Sequence, residues 1–158
     1  MTTESRVIRA TTPRDWEQAR VLIEEYAAGL GVDLCFQNFD EEIEHLATHY
    51  GPPRGALLLA FDGEKAVGCV GLREHDATTG EVKRLYVAPT ARGRDLGRAL
   101  ASAIVETGRE RGYSRLVLDT LPSMQAAQAL YVSLGFRTIE AYRYNPVQGT
   151  VFMELNLR

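Results

Sequence analysis

Cysteine is scarce in this chain: Cys35 and Cys69 are the only two in 158 residues. They are too few for a disulfide framework and lack the paired spacing of a zinc site, so no metal is expected. Long apolar runs are missing as well. None approaches the roughly 20 residues that cross a bilayer, which argues against a membrane partner. The opening stretch MTTESRVIRA has no apolar core of a secretory signal, and this predicts a cytoplasmic protein. There is no excess of positive charge either. Lys and Arg number 18 against 21 Asp and Glu, a formal net charge of −3, which leaves no electrostatic footprint for nucleic acid. An anionic ligand would have to be held locally.

What is present is an ordinary globular composition, 45% hydrophobic and 25% charged, of a length that suits one domain with a sizeable core. VIRATT (7–12) reads as an opening strand. Thr12-Pro13 then starts a helix, with a capping hydroxyl and proline at the first helical position. Trp16, Ala19, Ile23, Tyr26 and Leu30 follow at helical spacing, and Gly29 and Gly31 loosen its end. DEEIEHLATHY (40–50) reads as one short helix with Ile43, Leu46, Ala47 and Tyr50 on its apolar face. GALLLAFDG and KAVGCVGLRE are strands joined by a hairpin turn at Asp62-Gly63. EVKRLYV (81–87) is a further strand, and a long helix runs from about Arg94 to Arg111. SRLVLDT is a strand, and SMQAAQALYVSLGF is a helix with Ser123 as its cap and Gly135 as its stop. RTIEAYRY and TVFMELNL close the order βααβββαβαββ, a mixed α/β domain with a βαβ unit at its centre.

ARGRDLGRAL (91–100) is the stretch with the most chemistry in it. A strand, a loop and a helix start place unpaired N–H groups and the positive end of a helix dipole where an anion could sit. Gly93 and Gly97 allow close backbone approach, while Arg92, Arg94 and Arg98 raise the local potential. Asp95 in the middle poses a question: it is either a tolerated charge inside an anion site or the cap of an ordinary helix. Two familiar phosphate loops fail on residues. A Walker loop needs Gly-Lys-Ser/Thr where this chain has Gly97-Arg98-Ala99, and Asp95 and Arg98 break the dinucleotide fingerprint.

LYVAPTARGRDLGRAL resembles motif A of the GNAT N-acetyltransferase superfamily: Val87, Pro89, Arg92 and Gly97 match, with Asp95 replacing the central glycine. AAQALYVSLGF (126–136) resembles its motif B, A-x-x-L-Y-x-x-x-G-F. The order of elements agrees over residues 5–158, a single domain. LDTLPSMQAAQALY with YNPVQGTVFMEL further resembles an uncharacterised bacterial subgroup of the same superfamily. The resemblance implies an α/β (α+β) fold, a central mixed β-sheet flanked by helices with a splayed parallel strand pair, here KRLYV and SRLVLDT. It implies acetyl-CoA as co-substrate, with pantetheine paired to backbone at Leu85, Tyr86 and Val87. The pyrophosphate would rest on the loop of Arg92, Gly93, Arg94, Asp95, Leu96, Gly97 and Arg98. An amine would attack the thioester directly through a tetrahedral intermediate, without a metal. The implied activity is N-acetylation of a primary amine on a small metabolite or amino-acid-like acceptor. A non-catalytic acyl-CoA-binding or sensing domain is the alternative. Dimerisation through sheet edges or helices, as a homodimer, is a further expectation from the family.

Motif B implies that Tyr131 donates a hydrogen bond or proton to the departing thiolate, a sensible role for a phenol; a core tyrosine is the other reading. Seven positions before Tyr131, where the family often has asparagine, stands Met124, and Ser123 is the nearby polar residue for a cofactor contact or only a helix cap. Glu81 matches the position of a glutamate base in several GNAT enzymes. On a regular strand it shares a face with Lys83, Leu85 and Val87, and a solvated glutamate beside Gly80 is the competing reading. Lys83 and Arg84 could receive an acceptor carboxylate or merely line a strand end. His45 and His49, with Glu42 and Glu44, read as a solvated helix face rather than a metal site, and Cys69 as a buried small residue. GLGVDLCFQNFDEEI is expected to form one acceptor wall, and Tyr142, Tyr144 and Asn145 the other.

Overall fold

The computed structural model describes residues 5–30 and 38–158. Its elements are β1 (Ser5–Arg9), α1 (Pro13–Leu30), α2 (Phe39–Glu44), α3 (Leu46–Tyr50), β2 (Ala56–Asp62), β3 (Lys65–Glu74), β4 (Thr79–Val87), α4 (Leu96–Glu110), β5 (Arg115–Thr120), α5 (Gln125–Ser133), β6 (Arg137–Ile139) and β7 (Val151–Asn156). The strands form one sheet in the order β1-β2-β3-β4-β5-β7-β6. All neighbours are antiparallel except β4 and β5, the pair joined through α4. Helices cover both faces. Leu100, Ile104, Leu116, Leu118 and Tyr131 belong to the core under α4 and α5. Ala19, Ile23, Leu57, Leu59 and Cys69 belong to the core under α1 and α3.

Local chemistry explains several of these elements. The Thr12 hydroxyl accepts from the Asp15 N–H at 3.1 Å, and the Asp15 carboxylate accepts from Thr11 and Thr12, so the start of α1 is closed from both sides. The expected single helix over 40–50 is two helices, interrupted at His45, whose φ of −131° is not helical. The break resets which side chains face inward. Glu42, Leu46 and Tyr50 are buried, while Ala47 is exposed. At the end of α5, Gly135 adopts φ 101°, and the Phe136 N–H reaches the Tyr131 carbonyl at 3.0 Å. LYVSLGF is thus a left-handed helix stop in which Tyr131 and Phe136 meet, with ring centroids 5.3 Å apart.

Three expectations need correction. Met124, not Ser123, occupies the cap of α5, without a side-chain bond; Ser123 is exposed. The strand expected over 137–144 ends at Ile139, and the chain beyond it turns back over the sheet. Most consequential, β4 does not alternate regularly. While β3 advances from Cys69 to Gly71, β4 runs from Tyr86 back to Lys83, one residue more. The extra residue is a bulge at Arg84, where φ is 63°. Beyond it the two faces exchange. Val82 joins Leu85 and Val87 on the α4–α5 side, so Glu81 and Lys83 do not share a face with Leu85 and Val87.

Candidate active site

The bulge stands where the parallel pair separates. β4 and β5 pair only at Thr79–Arg115, Gly80–Leu116 and Glu81–Val117, yet β4 continues to Val87 and β5 to Thr120. Past Glu81 the β4 backbone edge that faces β5 has no strand partner. The opening is a narrow crevice, open to solvent, lined by Val82, Lys83, Arg84 and Leu85 from β4 and by Asp119, Thr120 and Leu121 on the other side. Met124, Ala127 and Tyr131 of α5 close one wall, and Tyr26, Leu30 and Asn145 contribute from the opposite face.

Strand alternation sorts these groups. Leu116 and Leu118 lie in the α4–α5 core, so Thr120 shares their face and Asp119 faces the α1 side. Tyr131 approaches from the α4–α5 side. Its hydroxyl has no hydrogen-bond partner among the described residues. Burial, with Tyr26 and Asp119 nearby, holds its phenol above the ordinary value of 10.0, so it keeps its proton at neutral pH. The Thr120 hydroxyl is buried and unpartnered too.

The charged groups gather on the other face. Arg84 is clamped by Glu42, with Nε donating at 2.8 Å and Nη2 at 3.0 Å, and the Tyr50 hydroxyl donates to the same carboxylate at 2.9 Å. Burial would raise the Glu42 carboxyl, but Arg84 outweighs it and holds the group below 4.5. Glu42 is therefore a buried anchor rather than part of a solvated helix face, and Arg84 is already neutralised where an acceptor carboxylate was a candidate partner. Glu81 is equally engaged. Only 1% of it is exposed, Arg143 Nη2 lies 2.6 Å from both of its oxygens, and Tyr142 donates at 2.7 Å. The solvated reading of Glu81 fails, because the chain after β6 folds back and covers it. Glu81 is also absent from the crevice lining that contains Tyr131. Lys83 is buried, and burial pulls its ammonium down to about 8 against the raising effect of Glu81.

The glycine loop forms a second recess beside the first, lined by Val87, Ala91, Arg92, Gly93, Asp95, Leu96, Gly97, Arg98 and Leu130. Gly93 has φ 87° and Asp95 has φ 57°. The left-handed backbone at position 95 is why a glycine suits it, and aspartate is one of the few side chains that tolerates this conformation. Asp95 occupies the cap position of α4 but makes no capping bond. The first N–H groups of α4 accordingly find no acceptor among the described residues. Gly97 is not explained by packing, since a Cβ there would meet only Leu130 Cδ2 at 3.7 Å. Arg92 donates to the Val87 carbonyl at 3.0 Å. Arg94 pairs with Asp62 at 2.6 Å and lies outside the recess lining, which leaves Arg98 as its second arginine.

Of the remaining expectations, Leu85 lines the crevice and Val87 the recess. The Tyr86 ring sits on the opposite face against Tyr26. Cys69 is buried, and burial pushes its thiol up to about 12, as suits a small core residue. His49 contacts Glu41, and no metal-binding cluster occurs among the described residues. Of the acceptor walls, Asn145 reaches the crevice, Tyr142 stands behind it on Glu81, and Tyr144 is 78% exposed. Residues 31–37 of the other wall lie outside the described residues. Sequence reasoning missed Asp119 and Thr120. The signal was a polar pair at the carboxyl end of a parallel strand, where open α/β sheets bind ligands.

Comparison with known proteins agrees with this layout. The profile of the acetyltransferase (GNAT) family matches residues 16–136. An uncharacterised N-acetyltransferase of Schizosaccharomyces pombe is 41% identical over 147 residues, covering 92% of this chain and 90% of the relative. A GNAT-family acetyltransferase of Staphylococcus aureus superimposes with a TM-score of 0.81 at 21% identity, covering 98% of this chain and all of the other. The structure of a Salmonella typhimurium acetyltransferase with its cofactor acetyl-CoA has a TM-score of 0.69 at 20% identity, covering 98% and 94% of the two chains.

Proposed function

This chain belongs to the acetyltransferase (GNAT) family and is an acyltransferase; from that premise we propose that it binds acetyl-CoA between β4 and β5 and acetylates a primary amine of a small metabolite or amino-acid-like acceptor. The observation that carries the reading is the continuity of two unsatisfied surfaces. The open backbone edge of β4 leads to the unpaired N–H groups at the start of α4, so one elongated ligand with an anionic end can satisfy both. The residues present fit such a ligand. Gly97 keeps open a space the protein does not fill, and the Thr120 hydroxyl is an orphaned buried group on the same side. Acetyl-CoA, when bound, supplies an activated thioester.

Each residue then has a task. The loop of Arg92, Gly93, Arg94, Asp95, Leu96, Gly97 and Arg98 seats the pyrophosphate by its amides, with Arg98 lending charge and Arg94 diverted to Asp62. Leu85 and Val87 direct their backbone into the gap. Tyr131 holds a proton next to the leaving sulfur and stabilises the negative charge that develops there. Glu81 does not line the crevice, so its part in removing the amine proton runs through intervening water. Ser123, exposed at the mouth of α5, has no part in this arrangement.

The test is a melting curve with and without acetyl-CoA, followed by a thiol-release screen over primary amines. Acetyl-CoA should raise Tm, because a ligand selective for the folded state stabilises it, and at least one amine should release thiol. No shift at millimolar acetyl-CoA would overturn the reading.

A further inference from the structure

Of the two cations that line the crevice, Arg84 is paired with Glu42, and Lys83 is buried, with Glu81 as the main charge that favours its ammonium; Glu81 in turn holds Arg143. Asp119 stands outside both pairs, and it is the only carboxylate among the described residues that line the crevice. Asn145 Nδ2 donates to its Oδ2 at 3.2 Å, and the guanidinium groups of Arg84 and Arg143 are spent on Glu42 and Glu81 rather than on it. A carboxylate has room for about four donors, so a half-buried one held by a single amide is under-satisfied. Its place matters as much. Asp119 sits on β5 beyond the last pairing with β4 and on the α1 side of the sheet. Tyr131 lies across the gap, close enough for Asp119 to raise its phenol. The orphaned hydroxyl of Thr120 lies on the opposite face, so the end of β5 carries an under-satisfied polar group on each side of the sheet.

We propose that Asp119 holds the acceptor by its ammonium group, so that the substrates are alkylamines that are cations at neutral pH, carried on an apolar or aromatic body. An ammonium brings three donors to a carboxylate that lacks them. The walls beside Asp119, formed by Tyr26, Leu30, Leu121 and Met124, suit an apolar body better than a second charged group. Held there, the nitrogen lies on the α1 side of the gap, opposite the side from which Tyr131 approaches. The proposal rests on the acetyl-transfer reading of the crevice.

Two isomeric probes test it: 2-phenylethylamine, an ammonium at neutral pH, and 4-ethylaniline, a neutral amine of the same formula. Wild-type protein should acetylate the first in preference to the second. Asp119→Asn should raise KM for 2-phenylethylamine about 10- to 100-fold, because the amide oxygen still accepts but no longer carries the charge that strengthens a hydrogen bond from an ammonium. The loss in kcat/KM should be at least tenfold larger for 2-phenylethylamine than for 4-ethylaniline, and an acetyl-CoA melting shift should persist. Asp119→Glu, which keeps the charge, should recover part of the KM, and the retained acetyl-CoA shift shows that both variants fold. An unchanged KM in Asp119→Asn overturns the proposal. So does wild-type protein that binds acetyl-CoA yet prefers the aniline or acetylates neither probe. Absence of the acetyl-CoA shift in wild type instead overturns the reading of the crevice itself, and the proposal falls with it.

Discussion

Gly97→Ala should move the free and the ligand-bound protein in opposite directions. Gly97 is the second residue of α4, and its Cβ position is clear except for Leu130 Cδ2 at 3.7 Å, an ordinary contact. Alanine there removes backbone entropy from the unfolded chain and should stabilise the free protein by up to about 0.5–1 kcal/mol. For a domain of this size that is a rise of roughly 2–4 °C per kcal/mol in Tm. The same methyl group stands in the recess over the amides that would seat a phosphate. Losing one hydrogen bond to a charged group costs about 1.5–3 kcal/mol, a tenfold or greater loss of affinity. At a ligand concentration of about 100 times the wild-type Kd, acetyl-CoA adds about 2.7 kcal/mol to stability. A tenfold weaker variant keeps about half of that. Differential scanning fluorimetry with and without acetyl-CoA reads both effects on one plate. If the free Tm rises and the acetyl-CoA shift is intact, the recess is not the phosphate seat. If the free Tm falls, the space at Gly97 is not open.

Tyr131→Phe keeps the packing on Phe136 and removes a hydroxyl that has no partner among the described residues, so Tm should hold while kcat falls roughly 10²-fold with little change in acetyl-CoA affinity; unchanged kcat in a chemistry-limited assay would return Tyr131 to the core. Glu81→Gln strips Arg143 of its charge partner and should destabilise the fold by no more than about 3 kcal/mol, because Arg143 retains some contact with solvent. Turnover should slow near neutrality, with the deficit shrinking at alkaline pH as the acceptor deprotonates unaided, and a pH–rate profile that overlays wild type would reject a role for Glu81 as base. Glu42→Gln leaves Arg84 buried without a counter-charge, a loss of about 3–5 kcal/mol in urea melts near pH 7. The folded-state value of Glu42 is depressed below 4.5, so its contribution is complete above that value and disappears as pH falls through the lower folded one; Glu42→Gln should flatten this part of the acid limb, and an unchanged acid limb would count against the pairing.

Sequence alone determined whatever depends on neighbours along the chain. Thr12-Pro13 starts a helix because a hydroxyl and a fixed φ act over three residues, and Asp62-Gly63 turns a hairpin for a similarly local reason. The motif ending in Gly135 and Phe136 stops α5 because only a left-handed residue lets the next N–H return to Tyr131. The family resemblance carried by those stretches placed the parallel pair and the glycine loop. Tertiary structure decided the rest, because it concerns which distant charges meet. Glu42 reads as one more surface acid until the break at His45 turns it inward to Arg84, 42 residues away. Glu81 reads as open until the segment after β6 lays Arg143 and Tyr142 over it. One extra residue in β4 exchanges the faces of everything beyond Arg84, and a period-two pattern has no means of announcing it. Among the described residues, Asp119 stood out as the carboxylate of the crevice only when Glu42 and Glu81 had found their cations through space.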